Sequence, residues 1–155
     1  MVGGTSGVID ACGIGVQTGQ MWVDGTSSSA VLARGHGGPL QFGEYRLKGL
    51  TEHSNDAACF VAKGVAQTLA FRDGGRGFVI SDYRGGGHFA AAFTFAIELN
   101  TISITPTCAY PDGPMSERGS FGPFETYTAT PDSLWLVSEA CNYRAEYEFQ
   151  PIPTR

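Results

Sequence analysis

His88 to Asn100 is the longest apolar run in the chain, and large and small side chains alternate along it. Phe89, Phe93, Phe95, Ile97 and Leu99 fall on one side of an extended strand, while His88, Ala90, Ala92, Thr94, Ala96 and Glu98 fall on the other. The alanines alone would suit a helix, but the period of two through Thr-Phe-Ala-Ile-Glu-Leu favours a strand. A strand with rings on one side and alanines on the other needs a neighbour against each. That neighbour is a second sheet, another subunit or the interior of a closed barrel.

The surrounding sequence is punctuated as a many-stranded protein would be. Its 22 glycines cluster between apolar runs without a Gly-X-Y period, which is turn usage rather than collagen. Gln20 to Asp24 reads as a short strand followed by a Gly25-Thr-Ser-Ser turn, and Ser29 to Arg34 is compatible with another strand. Gly35 to Pro39 reads as a loop and Gln41 to Lys48 as a strand. In residues 54–71 Val61, Val65 and Leu69 repeat every four positions after a Ser54-Asn-Asp cap, yet Gly64 and the valines weaken a helix. A hairpin from Val65 to Tyr83, turning at Asp73-Gly74, is the preferred reading, with a short helical turn near residues 55–62.

Thr101 to Cys108 reads as a strand ended at or near Pro106, and residues 109–122 as a long Pro/Gly/Ser-rich loop. Phe124–Thr130, Leu134–Ser138 and Tyr143–Phe149 then form a three-strand meander, closed off by Pro151-Ile-Pro153. No internal repeat points to a propeller. The expectation is one all-β domain over residues 1–155 with a flexible start at 1–7. Its fold is expected to be an antiparallel β-barrel of about eight to ten short strands, with a two-sheet β-sandwich as the alternative. The closing meander resembles calycin-like or allene-oxide-cyclase-like barrels. That resemblance is one of pattern, covers roughly the last third of the chain, and carries no diagnostic residue from which a site could be transferred.

Composition narrows the partners. Charged residues are only 16% of the chain against 42% hydrophobic, which allows a sizeable core and leaves room for a large pocket or a homo-oligomer interface. A net charge of −5 with scattered basic residues argues against nucleic acid, and no basic amphipathic stretch or apolar run of about 18 residues argues for a membrane. The Met1–Gly7 segment lacks the charged and apolar regions of a signal peptide, which favours a cytoplasmic location. Cys12, Cys59, Cys108 and Cys141 have no C-x-x-C spacing and allow three pairings. Reduced and oxidised states weigh nearly equal, with reduced preferred because no signal peptide is visible.

The familiar catalytic signatures are missing. There is no G-x-S-x-G elbow and no P-loop, and Gly13-Ile-Gly15 begins a glycine fingerprint that Thr18 breaks. His36, His53 and His88 lack metal-ligand spacing, so neither a metal nor a cofactor is expected. A metal site gathered from distant residues such as Glu44 and Glu98 stays only as a third possibility, in a hydrolase or metal enzyme. His88 and Tyr83 are the candidate catalytic residues, because they flank the glycine loop Arg84-Gly-Gly-Gly and could meet a ligand at a barrel mouth. Arg84 and Thr94, with the aromatic residues Trp22, Tyr127, Trp135 and Tyr143, are the candidate ligand contacts. The leading expectation is a mainly apolar small molecule held beside the alanine face inside a barrel, with cyclisation or isomerisation as a possible chemistry. The alternative is a β-sandwich module for carbohydrate binding, adhesion or particle assembly.

Overall fold

The computed structural model describes residues 22–29, 31–53, 64–84, 88–110, 124–139 and 142–150. The expected flexible start at 1–7, the Gly13-Ile-Gly15 motif, the helical turn near 55–62, most of the 109–122 loop and the closing prolines lie outside these residues. The fold is all-β, as expected. Among the described residues nine strands form one sheet: β1 Gly25–Ser28, β2 Gly43–His53, β3 Val65–Arg72, β4 Arg76–Tyr83, β5 His88–Glu98, β6 Thr101–Tyr110, β7 Thr126–Ala129, β8 Ser133–Ser138 and β9 Tyr143–Gln150. Neighbours in sequence are neighbours in space, and β9 pairs back onto β2, so β2 to β9 close into an antiparallel ring of eight. Every strand of the ring contributes to one interior cluster, which includes Tyr45, Leu47, Leu69, Phe71, Phe89, Phe93, Leu134, Leu136 and Tyr147. An eight-strand ring is wide enough to be filled by side chains of this size.

The ring is uneven. Strands β5 and β6 pair from Ala90 opposite Tyr110 to Glu98 opposite Thr101, with a bulge at Ala92/Phe93, whereas β6 and β7 share the single pair Thr101–Thr126. Pro106 therefore lies within β6 rather than ending it, opposite Phe93 at the bulge, a place where a missing ladder donor is tolerated. The loop containing Gly35 and Gly37 continues the thin seam along β7. Gly37 N donates to Tyr127 O at 2.7 Å, and Ala129 N donates to Gly37 O at 2.9 Å. A Cβ on Gly35 would lie 2.3 Å from Tyr127 O, so only glycine lets this loop lie so close to β7.

Two local expectations are corrected. Gly25–Ser28 is a strand, parallel to β2 from Leu50 to His53, and not a turn. Residues 31–36 are not a strand. Their backbone donors go to side chains instead, Leu32 N to Asn142 Oδ1 at 2.8 Å and Gly35 N to Thr126 Oγ1 at 2.9 Å. The β3–β4 hairpin and the β7–β8–β9 meander match the sequence reading.

The alternation in β5 is real, but its faces point opposite to expectation. Phe89, Ala91 and Phe93 join the interior cluster. Ala90 and Ile80 are buried in a separate cluster with Phe78 and Ala92, so the alanine side is the outer face. Rings bury more apolar area than methyl groups, so they take the interior.

Candidate functional site

The structure scatters the sequence candidates over several places. Tyr127 is a buried structural clasp: its hydroxyl lies 3.1 Å from Gly38 O and 3.3 Å from Leu99 O, and burial raises its pKa. Thr94 stands exposed on the outer wall, opposite Arg76 and Thr105. His88 opens β5 opposite Asp82, and its side chain lies outside the described residues. Tyr83 and Tyr143 come together inside one end of the ring, whereas Trp22 with Arg84, and Trp135, lie on the outside.

The interior pair belongs to a polar group that the sequence reading did not anticipate. Gln67 and Ser81 face each other across the β3–β4 hairpin, both buried, and Gln67 Nε2 donates to Ser81 Oγ at 2.9 Å. The hydroxyl of Tyr147 donates to Gln67 Oε1. Tyr143 is fully buried, and burial, then Tyr83, then Glu52 push its phenol far above the ordinary value. Burial and the neighbouring Tyr143 likewise raise Tyr147. These phenols therefore stay protonated, because burial disfavours the charged form, and Tyr147 uses its proton to bond Gln67. The missed signal was a polar residue at an inward position. Val65, Gln67, Leu69 and Phe71 share one face, and glutamine there needs an interior partner.

The outer site begins where β2 changes neighbours. Its first residues, Gly43 to Arg46, pair with β3, and its last, Leu50 to His53, pair with β1. Between them Lys48 is the extra residue of a bulge: Leu47 opposes Tyr147 and Gly49 opposes Glu146. A bulge re-aims side chains, and here it borders a groove of about 360 Å³ whose lining includes Trp22, Asp24, Thr26, Lys48, Gly49 and Glu146.

The walls of the groove are held in place. Val23 exchanges backbone bonds with Val65 at 2.8 and 2.9 Å, and Asp24 Oδ1 accepts from Gly64 N at 2.7 Å. The Arg84 guanidinium lies 5.8 Å from the centre of the Trp22 ring, within cation–π range, while 39% of Trp22 stays exposed. On the far side Glu146 Oε2 receives Arg144 at 3.0 Å. An exposed indole beside fixed carboxylates, a hydroxyl and an ammonium can stack on a ring while hydrogen-bonding its substituents.

Among the described residues no group of three metal-ligating side chains comes together, and no helix is long and apolar enough to cross a membrane. Cys108 is disulfide-bonded, which corrects the preference for reduced thiols; the other three cysteines lie outside the described residues. No family model, no curated protein and no solved structure matches the chain.

Proposed function

We propose that this protein is a binding module that takes a neutral, hydroxyl-rich ring compound, a sugar in the simplest case, in the groove at the β2 bulge. The observation that carries the reading is Trp22, an exposed indole held by Arg84 at the edge of a groove that also contains Asp24, Thr26, Lys48 and Glu146. A sugar ring offers C–H groups to an aromatic face and hydroxyls to the polar groups around it. Asp24 and Lys48 balance in charge, and Arg144 neutralises Glu146, so a neutral ligand fits better than an ion. The polar lining favours this over the mainly apolar ligand expected from sequence. The Cys108 disulfide agrees with work in an oxidising compartment rather than the cytoplasm.

The test is calorimetric titration of the protein with neutral oligosaccharides. Saturable binding that Trp22→Ala reduces at least tenfold, in a variant that unfolds at the parent's urea midpoint, is the expected result. Equal affinity in parent and variant refutes the groove as the site.

A second reading keeps the ligand inside the ring at the end formed by Tyr83, Tyr143 and Glu52, with cyclisation or isomerisation as its chemistry. The clustering of two phenols and a carboxylate in one barrel mouth favours it. It requires apolar probes to compete at Tyr143→Phe-sensitive sites and not at Trp22.

A further inference from the structure

Resting on the groove reading, we infer that the site continues across the outer wall to Trp135, and that its ligand is a linear neutral oligosaccharide rather than a single sugar. The groove shares a wall with a second exposed aromatic. Glu146 lines the groove, and Trp135 stands directly opposite Glu146 in the β8–β9 ladder, on the same outward face. Residues paired in this way have side chains about 5 Å apart, so no strand intervenes between the groove wall and the second indole.

Trp135 is 40% exposed although it sits in the middle of a strand, and the Arg144 guanidinium lies 4.6 Å from its ring centre. Arg144 also bonds Glu146 through Nε and a terminal nitrogen, both at 3.0 Å. One arginine therefore orients both the carboxylate at the groove and the ring beyond it. The pattern repeats, because each exposed tryptophan has its own arginine over one face: Arg84 for Trp22 and Arg144 for Trp135.

From β1, which Trp22 leads into, across β2 and β9 to β8 is three strand spacings, about 14 Å. A single hexose resting on Trp22 does not reach Trp135, whereas a chain of several sugars crosses the polar strip at Glu146 and meets both rings. Neutrality carries over, since the strip between the platforms is an internally paired Arg144–Glu146.

The experiment is a chain-length series. Cello-, xylo-, malto- and chito-oligosaccharides of one to six sugars are titrated into the intact chain by calorimetry, with Trp22→Ala, Trp135→Ala and Trp135→Phe alongside. The chain has only these two tryptophans, so intrinsic fluorescence of the parent reports on the proposed surface alone. In the parent, affinity for one series should rise at least tenfold between the disaccharide and the longest member. Trp135→Ala should abolish that rise while leaving disaccharide affinity within about twofold, and Trp135→Phe should restore part of it.

A chain-length gain that survives Trp135→Ala overturns the second platform and leaves the groove standing, as does equal parent affinity for all lengths. Binding to none of the four series overturns both readings.

Discussion

The two ends of the ring are built from the same eight strands and are closed by different physics. At the end where β2 and β6 begin, Tyr45, Phe71, Phe93, Phe95 and Phe149 meet edge to face, with centroids 4.9 to 6.5 Å apart. At the other end Glu52, Tyr83 and Tyr143 lie close together, and Gln67 links Ser81 to Tyr147. The aromatic end gains from contact area, which is non-directional and degrades gradually. The polar end gains from hydrogen bonds, which are modest when made and costly when half of one is removed. The same interior thus contains a robust plug and a conditional one, and the conditional one is where hydrogen-bonded polar side chains gather inside the ring.

The sharpest way to break this contrast is at Phe71, which is fully buried and touches Tyr45, Phe93 and Phe95. Phe71→Ala should cost about 3–5 kcal/mol, read as a fall in the urea midpoint. A loss below about 1 kcal/mol would mean that the aromatic end is loosely packed, and the contrast would fail.

Tyr147→Phe probes the other mode. It removes a donor from a buried glutamine oxygen and should cost about 1–3 kcal/mol. Tyr147→Phe combined with Gln67→Leu should cost clearly less than the two single changes added together, because either change alone already breaks the Tyr147–Gln67 bond, while the loss of the Gln67–Ser81 bond is common to both Gln67 variants and cancels from the cycle. Strict additivity in that double-mutant cycle would show that the bond does not hold the end together.

The contrast also explains what was legible in the sequence. The hairpin at Asp73-Gly74, the meander and the period-two alternation of β5 follow from local turn chemistry and periodicity, and these elements appear where the residues place them. Which face of β5 looks inward is a property of the whole ring, and one strand read alone leaves it open. Strand β1 was missed because its four residues, Gly-Thr-Ser-Ser, look like a turn, and only parallel pairing with Leu50 to His53 makes them a strand. Trp22, Arg84 and Trp135 are candidate ligand contacts on residue type alone, and the groove and second platform proposed for them need more than type. The proposed grouping rests on a bulge at Lys48 and on Arg144 reaching over Trp135, and neither leaves a mark in composition.

Alkaline pH should separate the two ends as well. Tyr143 and Tyr147 have their pKa values pushed above the ordinary phenol value of about 10, so the folded chain keeps protons that the unfolded chain gives up. Their contribution is complete below about pH 10 and declines as pH rises beyond it, with a slope approaching 1.4 kcal/mol per pH unit for each phenol. Urea midpoints at pH 8 and pH 11 should converge for Tyr143→Phe relative to the parent. A parent and variant with the same pH dependence would place the alkaline sensitivity elsewhere, in Tyr45 or Tyr127, which burial also raises.

The smallest effects come from the two non-glycine residues with positive φ among the described residues, one at each end: Leu99 at +57° and Asn142 at +51°. Leu99 forms the β5–β6 turn at the aromatic end and is 88% exposed, so it buries almost nothing in return for a conformation that leucine disfavours. Leu99→Gly should therefore stabilise the fold by about 0.5–1 kcal/mol. Asn142, just before β9 at the polar end, tolerates the left-handed region, and its Oδ1 accepts from Leu32 N at 2.8 Å. Asn142→Gly keeps the backbone freedom and loses that bond, so it should destabilise by about 0.5–1.5 kcal/mol. Opposite signs for the same substitution at two similar φ values would show the contrast between the ends extending to their turns: one end has slack to remove, while at the other even a turn residue is a hydrogen-bond partner.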